Sequence, residues 1–150
     1  MNQLTNQNNS AQENEIVAFK EVIPSPSKRV FSEGIRHPEL YLWDTWSAQD
    51  GATLHLYCLA VSTTCLNGEI LPPEMRNNAR FHIRHFTSTD AGQSWRDEGC
   101  YLRSRPAEQS FDARTVWSGS ILPLGDGRQL TAYTGIRDHS QELMFQQSLA

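Results

Sequence analysis

From Glu39 onward apolar and polar residues alternate with a period close to two, and the 3.6-residue period of an amphipathic helix is nearly absent. Thr53–Val61 reads as a largely apolar strand entered from the turn residues Gln49-Asp50-Gly51. Arg80–Phe86 alternates cleanly, which predicts a strand buried on one face only. Thr115–Leu122 and Gln129–Thr134 are two further strands, joined as a hairpin through Gly125-Asp126-Gly127-Arg128, and Leu143–Ser148 is placed to pair next. Between them lie the polar, Pro-containing loop Asn67–Asn78 and the turn-like run Arg96-Asp97-Glu98-Gly99, expected to be solvated. Arg137-Asp138-His139 reads as a polar hairpin loop. Short strands separated by Gly/Asp turns predict an antiparallel all-β fold, a pattern that a sandwich, a small barrel and a propeller share.

The N-terminal end breaks this pattern. Met1 to about Glu15 is rich in Asn and Gln with almost no apolar content, the composition of a disordered tail. Ile16–Val22 reads as a short strand or a first helical turn, and Pro24-Ser25-Pro26-Ser27 as an extended or polyproline break. The expected organisation is therefore a polar tail and linker over residues 1–30 and one β domain over residues 31–150.

Composition narrows the function classes. A net charge of −4 with no basic cluster gives no support for nucleic acid or a membrane surface as partner. No apolar run approaches the roughly 20 residues of a membrane-spanning helix. No basic segment followed by an apolar one marks a standard secretion signal, so a cytoplasmic location or a non-standard export route is expected. Cys58, Cys65 and Cys100 lack metal-ligand spacing, as do the five histidines, and predict neither a zinc site nor a disulfide framework; buried thiols in a reducing compartment are the expectation. His82 and His85 are three apart, which on a strand sends them to opposite faces.

Two short motifs carry chemistry. Trp43-Asp44-Thr45-Trp46 sets a carboxylate between two indoles, and Val116-Trp117-Ser118-Gly119-Ser120 sets a third indole beside hydroxyls and a glycine. Indole faces pack on the C–H faces of a sugar and exclude water, while a carboxylate can attack the anomeric carbon. A third segment, Ser88-Thr89-Asp90-Ala91-Gly92-Gln93-Ser94-Trp95, fits the S-x-D-x-G-x-x-W pattern of the Asp-box. In that hairpin turn the Asp caps turn amides and the Trp packs between strands, so Ser88, Asp90, Gly92 and Trp95 are assigned structural roles.

In their order and spacing the two Trp motifs resemble those of the levansucrase-type fructosyltransferases (glycoside hydrolase family 68), over roughly Phe31–Ala150. The resemblance implies antiparallel blades of a five-bladed β-propeller, incomplete in this chain. It implies that Asp44 is the catalytic nucleophile, that Trp43 and Trp117, with Trp46, line a fructosyl subsite, and that the Ser118 hydroxyl bonds the nucleophile. Asp44 is then expected at the floor of a ring-lined pocket, facing Trp117 and Ser118. The implied reaction is retaining transfer from sucrose, or a related fructoside such as a fructan, to water or a sugar hydroxyl; it requires no metal and no organic cofactor.

The family's stabilising Asp, in an Arg-Asp-Pro motif, and its acid/base Glu belong to later blades. At roughly 40–50 residues per blade, the part after the tail holds about two blades. The chain is accordingly expected to be a truncated product or a fragment of a longer reading frame, inactive by itself, with self-association through open blade faces as an alternative. Among the other carboxylates, Asp112 precedes the second motif and could face a cleft, and Glu108 lies in a polar loop. Two other readings compete. A sialidase-like Asp-box propeller calls for an Arg cluster and an early Phe-Arg-Ile-Pro-like motif, neither of which the sequence contains. A non-catalytic sugar-binding module calls only for the indoles as platforms.

Overall fold

The computed structural model describes residues 23–26, 30–65, 67–73, 79–105, 110–137 and 145–149. The segments Met1–Glu15 and Ile16–Val22, the loop residue Glu108, and Asp138-His139 lie outside the described residues. The protein is all-β, with antiparallel pairing throughout. Its strands are β1 (Val30–Phe31), β2 (Leu40–Asp50), β3 (Thr53–Ser62), β4 (His82–Ser88), β5 (Trp95–Arg103), β6 (Thr115–Pro123), β7 (Gln129–Ile136) and β8 (Phe145–Leu149).

They form two sheets, of order β1-β5-β4-β3-β2 and β6-β7-β8. Each is a meander in which consecutive strands are neighbours, apart from β1, which closes the far edge of the first sheet against β5. The turns are those the sequence marks. Gly51-Ala52 joins β2 to β3 with Gly51 at φ 57°, and Gly125 and Gly127, both at positive φ, turn β6 into β7. In the polar loop after β3, Thr64 bridges Ile70.

The two sheets pack face to face, with β6 lying across β2 to β5. Alternation sorts the first sheet's side chains. Tyr57, Leu59, Val61, Phe81 and Ile83 turn toward the second sheet and meet Val116, Ile121 and Tyr133 in one core. The polar groups at this interface are bonded across it: Tyr57 to Gln129 (3.0 Å), Tyr101 to Thr131 (2.6 Å), and the Phe81 amide to Thr115 Oγ1 (2.8 Å). Leu122 and Leu130, paired on adjacent strands, point the other way and remain exposed.

Two expectations fail on the first sheet. β4 is buried on both faces, because His82, Arg84 and Phe86 are covered as completely as Ile83. The run Arg96–Gly99 is part of β5 and not a solvated loop: Asp97 is 2% exposed and holds Arg84 through two bonds, Nε to Oδ1 (2.8 Å) and Nη2 to Oδ2 (2.7 Å). A buried guanidinium needs a buried counter-charge, and Asp97 supplies it. Glu98, its neighbour, turns outward to Arg96 and Thr87. Cys58 and Cys65 are buried as expected, whereas Cys100 is exposed.

Candidate functional site

Both Trp motifs lie on sheet-edge strands, β2 and β6, and both strands are bulged at the motif. On β2 the pairing steps from Trp43↔Leu59 to Thr45↔Cys58, leaving Asp44 as an extra residue at φ 47°. Asp is among the few L-residues that occupy this left-handed region readily. The bulge changes the phase of the strand. Trp43 and Trp46 are three apart and would otherwise face opposite ways; instead they pair with Leu59 and Tyr57 and face the same core. On β6 one extra residue falls between Val116 and Gly119, at Trp117-Ser118.

The two bulges meet. Ser118 Oγ lies 3.5 Å from Asp44 Oδ2, the long limit of a hydrogen bond, although the residues come from different sheets. Trp43 packs edge-on against Phe81, with ring centroids 4.8 Å apart, and Trp117 is half-buried beside Ser118. Asp44 itself is exposed and is not at the floor of a closed pocket; the expected placement is corrected in that respect, while its proximity to Ser118 is found. Trp46 stacks on Tyr57 inside the layer between the sheets, and its buried Nε1 has no hydrogen-bond partner among the described residues.

Gly119 explains how β6 carries this motif. A Cβ at Gly119 would lie 2.2 Å from the Ala132 carbonyl oxygen and 3.0 Å from Tyr133 Cα, so β6 and β7 approach where only hydrogen fits. Beneath the motif Asp112 is fully buried and turns into the core, not to a cleft. It accepts bonds from Tyr133 Oη (2.8 Å), Arg105 Nε (3.2 Å) and Ser110. Burial pushes its carboxyl up, but these three donors outweigh burial and hold it below the ordinary range. Burial and the adjacent Asp112 raise the Tyr133 phenol to about 12.

The Asp-box segment joins β4 to β5. Asp90 Oδ1 accepts the Ser94 amide (2.9 Å), Ser88 Oγ accepts the Gly92 amide (2.9 Å), and Ala91 and Gly92 take positive φ. The Trp95 ring contacts the Gly92 side of the turn. Bonds from Ser94 and then Ser88 hold the Asp90 carboxyl down to about 2.

One constellation escapes a period-two reading. His55 Nδ1 and His85 Nε2 are 3.0 Å apart across β3 and β4, and the His85 ring stacks on Tyr57. Burial, then the neighbouring His55, lowers His85 to about 4. The pair is diagonal in the ladder, so the sequence shows it only once the register Tyr57↔His85 is known. Among the described residues no group of three or more His, Cys, Asp or Glu is arranged to hold a metal ion. No protein-family model matches this chain, and no curated protein is similar to it.

Proposed function

We propose that this chain forms the first blades of a β-propeller and carries the nucleophile side of a retaining fructosyl-transferring or fructoside-hydrolysing site. The observation that carries the reading is the convergence of two bulged edge strands on one point, where Asp44 meets Ser118 beside Trp43 and Trp117. The topology supports it. Each sheet runs as a meander from its motif strand outward, and the last strand of the first meander leads into the motif strand of the next sheet, which is how blades repeat around an axis. The motif strands β2 and β6 then line the axis, and Asp44 is exposed because that is where substrate enters.

In this reading the Asp44 carboxylate attacks the anomeric carbon and forms a fructosyl ester, with Ser118 orienting the attacking oxygen and the indoles packing on the ring. Protonation of the leaving glucose oxygen needs a second carboxyl about 5–5.5 Å away, and no described residue near Asp44 fills that role. Among the described residues the site therefore has a nucleophile without an acid.

A fructosyl fluoride tests this directly, because fluoride departs without a proton. Intact-mass spectrometry of the chain after incubation should show one added hexosyl unit, absent in Asp44→Asn, while sucrose releases no glucose. Saturable sugar binding that is unchanged in Asp44→Asn, with no adduct, would instead establish a binding module. Neither adduct nor sugar binding would end the carbohydrate reading.

A further inference from the structure

The outer face of the first sheet, away from the Asp44 edge, carries the buried Arg84–Asp97 pair, which does more than tie β4 to β5. Arg84 is fully buried in the middle of β4, and Asp97 fixes one side of its guanidinium with two bonds. Two of its remaining N–H groups donate to two consecutive main-chain carbonyls, Nη1 to Pro24 O (2.5 Å) and Nη2 to Ser25 O (3.0 Å). The Asp97 carboxylate also accepts the Gly99 amide at 3.0 Å. Gly99 stands at φ 99° on β5, and a Cβ there would lie 2.8 Å from Pro26 Cγ, so the proline ring rests directly on the strand backbone. The sheet therefore offers a charged fork for two carbonyls and a notch for a proline ring.

We propose that this face is a binding site for an extended, proline-containing peptide, occupied in this chain by Pro24-Ser25-Pro26. Three physical features define the ligand. The fork reads carbonyl oxygens, which an extended polyproline backbone presents to solvent because it makes no internal hydrogen bonds. The Gly99 notch selects a proline at the third position. The middle residue is chosen only for its carbonyl, since Ser25 is exposed and bonds Arg84 through its main chain. A tethered ligand is present at millimolar effective concentration, so the site stays filled in the intact chain and a free peptide competes only after the tether is cut.

The experiment uses the full chain with a site-specific protease sequence inserted between Ser27 and Lys28, cleaved after folding. A fluorescent peptide of residues Glu21–Ser27 is then titrated by anisotropy into cut and uncut protein. Saturable binding to the cut protein and none to the uncut protein is expected. Replacing Ser25 by Ala in the peptide should leave affinity unchanged, whereas replacing Pro26 by Ala should weaken it about tenfold or more. These peptide variants leave the protein unaltered, so the result does not depend on a folded mutant. Gly99→Ala in the protein, where it folds, should weaken the unmodified peptide comparably. Absence of binding to the cut chain, equal binding to the uncut chain, or loss of affinity with the Ser25→Ala peptide would each overturn the proposal.

Discussion

Gly119→Ala is the sharpest test of the geometry around the second Trp motif. The added methyl carbon would sit 2.2 Å from the Ala132 carbonyl oxygen and 3.0 Å from both Tyr133 Cα and Cβ. Ordinary carbon contacts lie at about 3.5–4.0 Å, so the new atom is more than a tenth of a nanometre too close to one neighbour. The obstacles are β7 backbone and the root of a buried Tyr133, whose side chain cannot rotate out of the way. Relief requires β6 to move away from β7, which breaks ladder bonds next to the bulge. Overpacked cores lose typically 1–3 kcal/mol, and a backbone obstacle places this case at about 3 kcal/mol. For a chain of this size each kcal/mol lowers the melting temperature by roughly 2–4 °C, so a fall of about 6–12 °C is expected in circular dichroism. Gly34→Ala is the control: it has φ 85° but nothing within 4 Å, so it bears only the left-handed penalty of about 1–2 kcal/mol. A Gly119→Ala melting temperature no lower than that of Gly34→Ala would refute the close approach of β6 and β7.

Two pH dependences follow from groups with opposite chemistry. His85 is held down to about 4 from 6.5, so it is neutral in the folded protein while the unfolded chain takes up a proton below pH 6.5. Stability should be full above about pH 6.5, decline as pH falls toward 4 and flatten below it; His37, also lowered by burial, acts in the same sense, so His85→Gln should reduce the slope of melting temperature against pH without abolishing it. Asp90, depressed from 3.8 to about 2, should keep its cap on the Ser94 amide at pH 4 and lose it as pH falls through about 2; a carboxyl titration by NMR that instead centres near 4 would remove the cap from the account of this turn.

Much of the fold can be read in the chain before any coordinates. The Gly51 and Gly125–Gly127 turns and the strands β3, β6 and β7 follow from alternation and turn residues, because side-chain period and backbone geometry coincide there. β5 is hidden because Arg96-Asp97-Glu98-Gly99 has the composition of a turn, and its polar residues are divided between a buried ion pair and a solvated edge only by pairing with β4. In the alternation Arg84 falls with Arg80 and His82 on the face read as solvated, so its need for an acidic partner on β5 shows only once that face is found to be covered. The site was partly legible: the Trp motifs singled out Asp44 and the resemblance paired it with the Ser118 hydroxyl, which it does meet, but on a regular strand a spacing of three would send Trp43 and Trp46 to opposite faces. The one-residue bulge that reunites them is a register event, and register depends on the partner strand.

That bulge separates two kinds of selection pressure. The paired residues of β2 that face the core, such as Trp43 and Trp46, are answerable to packing; the inserted position is exposed and held by a backbone angle that Asp, Asn and Gly all tolerate. Reactivity at position 44 can thus be exchanged among those residues while the fold stays indifferent, so an Asp44→Asn protein should melt with the parent and differ from it only in what it does to a ligand.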